Sequence, residues 1–294
     1  MLMAVDIGNT NIVIGFLEGD RIVGSYRITT KATHTSDEYG LMITQFLALS
    51  DYTADDVDDV IVCSVVPKVM YSFRASLIKF LGLEPMVVGP GVKTGMNIRL
   101  DDPKTLGSDC IADCAGAYHT YGGPVLVADF GTATTFNVID ENKVFRGGVI
   151  CPGLSTGLRA LGERCAQLPQ VHLSSPKSAI GVDTEKCMLS GSVLGAAVLL
   201  DGITQRIEEE LGRPVTLVVT GGLAKYVIPL CRHPLTYDPE LLLKGLALLY
   251  QLNAPQHEHR HEPRNEGEHR RPGPRPAGRR PHSGSSPRRH GRSG

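Results

Sequence analysis

One pattern occurs twice in this chain of 294 residues, and it constrains the fold more than any other feature does. Residues 1–28 read MLMAVDIGNTNIVIGFLEGDRIVGSYRI, and residues 125–150 read VLVADFGTATTFNVIDENKVFRGGVI. In each copy an apolar run ends at an Asp-x-Gly corner, and two more apolar runs are joined by a polar turn, which predicts three short strands. Asp129 corresponds to Asp6 at an offset of 123 residues, and the two corner glycines align as well. This recurrence at half the length of the folded body predicts a duplicated domain.

Each corner presents groups that suit a phosphate. Asp6 ends a strand that reads as buried, and Gly8 lets the backbone approach a bulky anion closely. The asparagines and threonines that follow supply amide and hydroxyl donors, and the carboxylate can reach a metal ion bound to the phosphates. For one corner alone, a hairpin with a solvated polar tip is an equally good interpretation. Two corners related by duplication are expected to face each other and to hold a triphosphate from both sides, which is the positioning that phosphoryl transfer requires.

Helices and strands alternate through the rest of the chain. Residues 35–38 read as a capping box, and residues 60–66 are a continuous apolar run typical of a buried strand. The next helix is predicted to stop at Gly82, residues 89–103 are predicted to be loop, and another helix is expected to start near Lys104. A long helix is predicted over 184–212, and a strand at 215–219 leads into a Thr-Gly-Gly loop that would admit the base and ribose of a nucleotide. This order predicts two α/β halves with a cleft between them.

The long helix carries two small residues on one face. Gly191 and Gly195 are four residues apart, so they share a face and permit close approach of another helix. Packing within the chain and contact with a second copy both explain this spacing.

Charge is distributed unevenly along the chain. Residues 255–294 contain 10 Arg and 4 Glu and a single aliphatic side chain, Ala277, so this segment cannot form a core and is predicted to be a disordered basic tail. Residues 1–254 hold the other 20 basic and 27 acidic residues, a net charge of −7. An acidic body argues against nucleic acid as the main partner.

The cysteines and the apolar runs indicate a cytoplasmic protein. The seven cysteines are scattered without a C-x-x-C pair, which predicts reduced thiols and no zinc site (Cys63, Cys110, Cys114, Cys151, Cys165, Cys187 and Cys231). The first residues lack the basic leader of a secretory signal, and the apolar run Val193–Leu200 is too short to cross a bilayer. We therefore expect no membrane partner.

The order of the motifs resembles that of type III pantothenate kinase. DIGNTN at 6–11, DxPxxxGxD at 101–109, DFGTATT at 129–135 and a late TGG follow one another as they do in that family, and the resemblance covers roughly residues 1–254. The family belongs to the superfamily of acetate and sugar kinases, actin and the heat-shock chaperones. The implied fold is α/β, with duplicated ribonuclease H-like (actin-like ATPase) domains and an ATP cleft between them. The domains would span 1–121 and 122–254.

The resemblance implies phosphorylation of pantothenate by ATP, the first step toward coenzyme A, in a cytoplasmic homodimer. It implies Mg²⁺ near Asp6 and a monovalent cation, K⁺ or NH₄⁺, at Asp129. ATP would be bound by the first corner with the strand after it and by one threonine of the second corner: Asp6, Ile7, Gly8, Asn9, Thr10, Asn11, Ile12, Val13 and Thr132.

The resemblance also places pantothenate. Its contacts would be Leu100, Gly107, Ser108, Asp109, Cys110 and, in the dimer, Thr184. Asp109 would be the general base, because a primary hydroxyl needs a carboxylate to take its proton. From the sequence alone Asp109 could equally cap the helix that follows. Asp113, one helical turn later, is expected to be solvated or to form a salt bridge.

Three departures from the family pattern cluster around the acceptor. Cys110 stands where the family usually has arginine, Leu100 replaces a common aromatic residue, and Asp183 precedes Thr184 where asparagine is frequent. A thiol cannot replace the fixed charge of an arginine, and the sequence offers three substitutes without ranking them: Arg99, Arg146 and Arg159. The alternatives are therefore a kinase of the same fold for another small hydroxyl compound and a catalytically weak nucleotide-binding regulator.

Overall fold

The computed structural model describes residues 1–254, and the predicted basic tail, 255–294, lies outside the described residues. Two sheets organise the described part of the chain. The first sheet has the strand order β3-β2-β1-β4-β5. Its strands are β1 (Leu2–Ile7), β2 (Asn11–Glu18), β3 (Arg21–Thr29), β4 (Asp59–Ser64) and β5 (Met86–Val87). Helices α1 (Ser36–Leu49) and α2 (Pro67–Leu81) connect them.

The second sheet has the order β11-β10-β7-β8-β9-β6. Its strands are β6 (Asn97–Ile98), β7 (Val125–Phe130), β8 (Ala133–Ile139), β9 (Val144–Pro152), β10 (Thr216–Thr220) and β11 (Thr236–Tyr237). The remaining helices are α3 (Ser108–Tyr121), α4 (Leu154–Arg164), α5 (Thr184–Leu189), α6 (Gly195–Leu211), α7 (Ala224–Val227) and α8 (Leu241–Asn253).

The predicted duplication is confirmed by the strand pairing. In the first sheet β1 pairs antiparallel with β2 and parallel with β4, and in the second sheet β7 pairs antiparallel with β8 and parallel with β10. Asp6 therefore faces Val13 and Cys63 across the ladder, and Asp129 faces Thr135 and Thr220. Both carboxylates thus lie at the end of a strand that is flanked on both sides.

Local sequence signals set several element boundaries as predicted. The Thr35 hydroxyl accepts a hydrogen bond from the Glu38 amide at 3.3 Å, and the Thr35 amide donates to the Glu38 carboxylate at 2.7 Å, which completes the capping box of α1. Gly82 ends α2 with a φ of 70°, a conformation that costs glycine little.

Other boundaries differ from the expectations. The segment 89–103 was expected to be loop throughout, but β6 within it pairs with β9. The long helix contains a π-helical turn, Ser190–Leu194, between α5 and α6. Helix α3 begins at Ser108 rather than near Lys104, because Pro103–Thr105 forms a 3₁₀ turn first.

Helix α8 returns to the first sheet and helps to join the two halves. Its Leu243 and Leu246 share a core cluster with Ala4 and Ile61. Helix α8 also packs closely on α3, since a Cβ added to Gly245 would lie 1.9 Å from the Ala112 carbonyl oxygen. Two elements cross the predicted boundary at residue 122. Strand β6 lies before residue 122 in the sequence but pairs in the second sheet, and helix α8 lies after residue 122 but packs on the first sheet. The division into 1–121 and 122–254 therefore stays a prediction.

Within residues 1–254, the helix Thr184–Leu211 is long and apolar enough to cross a membrane by length and composition alone. A helix in the core of a globular domain passes the same test. Val193, Ala197 and Leu200 from this helix are fully buried and belong to the core cluster of the second sheet. Packing against that sheet thus accounts for the apolar composition.

Candidate active site

The two Asp-x-Gly corners meet in the structure. The Thr10 and Thr132 hydroxyl oxygens are 2.8 Å apart and share a hydrogen bond, although 122 residues separate them in the sequence. Both side chains are exposed, so they line an accessible cleft. Elements of both sheets therefore border this point.

The first corner is held by its own hairpin and by the end of β3. The Gly8 amide donates to the Asn11 carbonyl at 3.0 Å, and the Thr30 hydroxyl donates to the Gly8 carbonyl at 2.7 Å. Asn9 and Thr10 remain exposed at the tip. A loop fixed by two hydrogen bonds thus presents polar groups to the cleft, a feature that suits anion binding.

The second corner is one residue shorter and more tightly covered. The Gly131 amide donates to the Ala133 carbonyl at 3.0 Å, and the Thr156 hydroxyl donates to the Thr132 carbonyl at 2.8 Å. A Cβ added to Gly153 would lie 2.4 Å from that same carbonyl oxygen. The start of α4 therefore packs directly behind the second corner.

The Asp6 carboxylate lies partly buried at the base of the cleft. The Cys63 thiol donates to its Oδ1 at 3.3 Å. The pKa of Asp6 is raised to about 7, chiefly by loss of hydration. The nearby charges of Asp109 and Asp129 contribute to this shift, and the Cys63 hydrogen bond and the Arg27 charge oppose it. A cation beside this carboxylate would favour the ionised form.

Asp129 occupies the matching place in the second half. Loss of hydration raises its pKa, the Asp109 charge adds to the shift, and the Arg27 guanidinium opposes it. Gly221, which follows β10, has a φ of 94°, and a Cβ there would lie 2.3 Å from the Asp129 Oδ1. The Thr-Gly-Gly loop thus packs directly against the Asp129 carboxylate, and only glycine fits at its middle position.

The Gly107–Cys110 motif lies at the start of α3. The Ser108 hydroxyl donates to the carbonyl of Ser64, at the end of β4, with a separation of 3.3 Å. Gly107 is the N-cap residue, and the Asp109 Oδ1 accepts a hydrogen bond from the Cys110 amide at 2.8 Å. Asp109 is therefore not the cap, although it satisfies one amide of the first turn. Its influence on the pKa values of Asp6 and Asp129 places it within charge range of both corners.

The expectation for Asp113 was wrong. This side chain is only 3% exposed and forms no salt bridge within residues 1–254, and its Oδ1 is buried without a hydrogen-bond partner there. Burial and the charges of Asp129 and Asp109 raise its pKa well above the usual range. Because Asp113 follows Asp109 by four residues, it lies on the same inward face of α3 rather than on the solvent face.

The Gly107–Cys110 segment, called the acceptor motif below, contains no fixed positive charge. Burial raises the pKa of the Cys110 thiol to about 12, so this side chain is neutral. Of the three candidate substitutes for an arginine, Arg146 pairs with Asp140 at 3.3 Å and Arg159 pairs with Glu163 at 3.8 Å. Arg99 is exposed and forms no ion pair within residues 1–254.

Leu100 and Thr184 lie outside the two corner segments of the sequence. Leu100 packs against the apolar cluster around Phe145. Thr184 is exposed at the first position of α5, where the Asp183 side chain caps the helix by accepting from the Lys186 amide at 2.8 Å. In the described chain, Thr184 forms no side-chain hydrogen bond to a corner residue.

The carboxylates fit hard cations, but only with help from a ligand. Carboxylate oxygens suit Mg²⁺ and alkali cations, and Mg²⁺ usually takes one or two carboxylates together with phosphate oxygens and water. Within residues 1–254, no group of three or more His, Cys, Asp or Glu side chains is arranged to hold a metal. Asp6 and Asp129 could each contribute one carboxylate to a site of that kind.

Arg27 is the functional candidate that the sequence motifs missed. It lies on β3 opposite Val13, which lies opposite Asp6 on β1. Its influence on both Asp6 and Asp129 shows that the guanidinium lies near the two corners. The pairing of β1, β2 and β3 places Arg27 in line with Asp6, and this pairing cannot be read directly from the sequence.

Known proteins resemble this chain over most of its length. The model of the type III pantothenate kinase family matches residues 2–206. A protein named type III pantothenate kinase from Bifidobacterium longum subsp. infantis is 68% identical over 253 residues, which cover 86% of this chain and 99% of that protein. A protein of the same name from Agathobacter rectalis is 43% identical over 252 residues, which cover 85% of this chain and 97% of that protein.

Two solved structures show the same fold. One, from Sinorhizobium meliloti and named provisionally as a 2-dehydro-3-deoxygalactonokinase, has a TM-score of 0.51 at 12% identity and covers 89% of this chain and 99% of its own. The other is from Campylobacter jejuni and is named provisionally as a Baf family transcriptional activator. It has a TM-score of 0.50 at 20% identity and covers 85% of this chain and 97% of its own. At this identity they bear on the fold alone, and the predicted duplicated α/β fold of the ribonuclease H-like (actin-like ATPase) type is confirmed.

Proposed function

The chain belongs to the type III pantothenate kinase family and phosphorylates pantothenate with ATP in coenzyme A biosynthesis, and from this premise we propose which residues perform the reaction. The observation that carries the proposal is the 2.8 Å hydrogen bond between Thr10 and Thr132. It brings the two phosphate-type corners to one place, with the N-terminal turn of α3 and its Asp109 within charge range.

The phosphates of ATP bind between the two corners. The first corner contributes exposed donors at Asn9 and Thr10, and the second contributes the Thr132 hydroxyl. The full set of ATP contacts is the predicted one: Asp6, Ile7, Gly8, Asn9, Thr10, Asn11, Ile12, Val13 and Thr132. In this arrangement the direct bond between the two threonines is exchanged for bonds to phosphate oxygens.

Asp109 acts as the general base. The pantothenate hydroxyl oxygen attacks the γ-phosphorus, the bond from that phosphorus to the bridging oxygen breaks, and ADP leaves with the electron pair. Asp109 accepts the hydroxyl proton. Its Oδ1 is held by the Cys110 amide at 2.8 Å, which fixes the carboxylate while Oδ2 stays available. Such proton transfer contributes about 10²–10⁴-fold to the rate.

The acceptor contacts are proposed as predicted. Gly107, Ser108 and Cys110 lie beside the base, and Cys110 offers a neutral thiol. Leu100 and Thr184 complete the set. Because Thr184 lies at an exposed helix start away from the corners, its contribution requires a second copy of the chain.

Two cations support the phosphates in this proposal. Asp6 would hold Mg²⁺, and Asp129 would hold K⁺ or NH₄⁺. When bound, these ions neutralise the charge that accumulates on the phosphates during transfer. The raised pKa values of both carboxylates support this assignment, since each lacks a paired cation within residues 1–254.

A homodimer accounts for the open face of the long helix. A Cβ added at Gly191 or Gly195 would meet no atom within 4 Å, so these glycines do not serve packing within the described chain. Val198, on the same face, is 62% exposed. We expect V198E to yield a monomer in light scattering after gel filtration, whereas Y71E, at an exposed tyrosine of α2, leaves the mass unchanged. A monomeric wild type would overturn the proposal.

A cytoplasmic location is proposed on the state of the cysteines. All seven are free thiols, and Cys63 and Cys114 are fully buried. Reduced thiols are typical of the cytoplasm.

An assay of ADP release with pantothenate, Mg²⁺ and K⁺ tests the residue assignment. We expect turnover that depends on all three, and loss of turnover with preserved ATP binding in D109N. Turnover with a different alcohol alone would favour another acceptor, and ATP binding without turnover on any acceptor would favour a regulator.

A further inference from the structure

We propose that Arg27 is a further catalytic residue, which binds the phosphate chain of ATP from the first half of the molecule while its guanidinium reaches the second half. This inference rests on the proposed placement of the phosphates between the two corners. Four observations support it: strand register, reach, the lack of a protein partner and contrast with a neighbouring arginine.

The strand register directs Arg27 toward the cleft. Arg27 pairs with Val13 across β3 and β2, and Val13 pairs with Asp6 across β2 and β1. Side chains at directly paired positions project from the same face of a sheet. The Arg27 side chain therefore leaves the sheet on the Asp6 side.

The reach of the side chain takes it to the other half. A Cβ added to Gly222, in the loop after β10, would lie 2.9 Å from the Arg27 Nη1. Gly221, the preceding residue, packs against Asp129. The guanidinium thus spans from β3 to the loop beside the second corner, and a side chain at position 222 would displace it.

Arg27 lacks a protein partner in the described residues. Its guanidinium forms no side-chain hydrogen bond and no ion pair within 4.0 Å in that part of the chain. An arginine presents five N–H donors in a planar fork that matches phosphate geometry. The guanidinium donors of Arg27 are therefore not taken up by a side chain of the described residues.

Arg21 shows what an ordinary arginine on the same strand does. Its side chain is 74% exposed and donates to Glu18 at 2.6 Å within its own hairpin. Arg27, six residues later, has no such local carboxylate and points across the cleft instead. Arg21 is therefore a matched control of the same chemistry and strand.

A phosphate is favoured over the acceptor carboxylate as the ligand. The guanidinium lies against the loop after β10, which packs on the second corner, whereas the acceptor motif lies at the start of α3. In the transfer step defined above, Arg27 would stabilise the negative charge on the phosphate oxygens as the γ-phosphoryl group passes to the pantothenate hydroxyl.

The test compares R27Q, R27K and R21Q in the full chain. Calorimetric titrations with ATP, ADP and AMP in Mg²⁺ and K⁺ are combined with steady-state kinetics. We expect R27Q to weaken ATP binding by about 10–100-fold while AMP binding stays unchanged, since a charge-assisted bond to phosphate is lost. We expect kcat to fall by about 100-fold or more, R27K to lie between R27Q and wild type, and R21Q to stay within about twofold of wild type.

Three results would overturn the inference. R27Q could bind ATP as tightly as R21Q does, it could raise the KM for pantothenate alone, or it could weaken AMP and ATP equally. Melting temperatures exclude misfolding, and the exposed position of Arg27 makes R27Q and R27K well tolerated. A T132V variant separates the two proposals. If T132V weakens ATP binding and R27Q does not, only the role of Arg27 fails. If neither variant weakens ATP binding, the placement of the phosphates between the corners fails as well.

Discussion

The two halves of the molecule use the same strand–corner–strand unit and differ in what surrounds its carboxylate. In the first half a thiol, Cys63, donates to Asp6, and in the second half Thr220 lies at the matching place beside Asp129. In the first half Arg27 pairs with Val13 on the neighbouring strand. At the corresponding position of the second half, Ile150 pairs with Thr135 and is 79% exposed. Duplication therefore sets where the two carboxylates lie. The two halves have diverged at the position of Arg27 and Ile150, so that only the first half has a cationic side chain there.

The residues that follow Cys63 and Thr220 show the same division. Ser64 follows Cys63, and its carbonyl receives the Ser108 hydroxyl of the acceptor motif. Gly221 follows Thr220 and packs directly on the Asp129 carboxylate. The first half thus holds the start of α3, and the second half encloses its own carboxylate closely.

The largest effect is expected at Asp109, the proposed base. D109N should lower kcat by about 10²–10⁴-fold, because an amide cannot accept the hydroxyl proton. ATP affinity, measured by calorimetry, should remain near wild type. D101N, at an exposed aspartate of the preceding loop, is the control and should keep full activity. An unchanged kcat in D109N would remove Asp109 from the mechanism.

Replacement of Gly221 tests how tightly the second half encloses Asp129. G221A should lower the free energy of unfolding by about 3 kcal/mol, since it combines a positive φ with a clash against the Asp129 Oδ1. G82A provides the matched control, because Gly82 also has a positive φ but has open space around it. It should lose only about 1 kcal/mol. Equal losses in urea denaturation would show that the contact with Asp129 does not matter.

Asp6 predicts a dependence of stability on pH in the protein without nucleotide or added divalent ions. Its pKa is raised to about 7 in the folded state, so the folded state binds the proton more tightly than the unfolded chain does. This contribution is fully present below pH 4 and is lost as the pH rises through about 7. We expect D6N to be more stable than wild type at pH 8 by about 2 kcal/mol, because partial exposure reduces the full effect.

The same D6N variant separates stability from function. It should lose the binding of ATP that depends on Mg²⁺ while its melting temperature at pH 8 rises by about 4–8 °C. At pH 4.5, where most Asp6 side chains in the folded protein are protonated, the difference in melting temperature should shrink. An identical pH dependence in wild type and D6N would contradict the environment assigned to Asp6.

The smallest effect concerns the hydrogen bond between the corners. A double-mutant cycle of T10V and T132V in the unliganded protein should give a coupling of about 1 kcal/mol in the free energy of unfolding. Strictly additive losses would show that the two halves are joined elsewhere, chiefly through α3 and α8.

Sequence reasoning captured the parts of this protein that local signals define. The corners at Asp6 and Asp129 were found because charge, glycine and strand pattern lie within a few residues of each other. The start of α1 and the end of α2 followed from a capping box and from Gly82. The duplication then predicted that the corners meet.

The missed features depend on contacts between distant segments. Arg27 gains its place through the register of three strands and a loop of the other half. Asp113 was assigned to the wrong environment because helical spacing shows that it shares a face with Asp109 without showing whether that face is inside. Strands β6 and β11 are two residues long, too short for any periodic signal.

Both halves of the molecule are proposed to hold the phosphates of ATP, and the decisive measurement is the ATP affinity of T132V. This variant removes one hydroxyl from the second corner and leaves the first corner unchanged. We expect calorimetry to show ATP binding weakened by about tenfold, with AMP binding unchanged, because a hydrogen bond to charged phosphate is lost. Unchanged ATP affinity would contradict the claim and confine the phosphates to the first half.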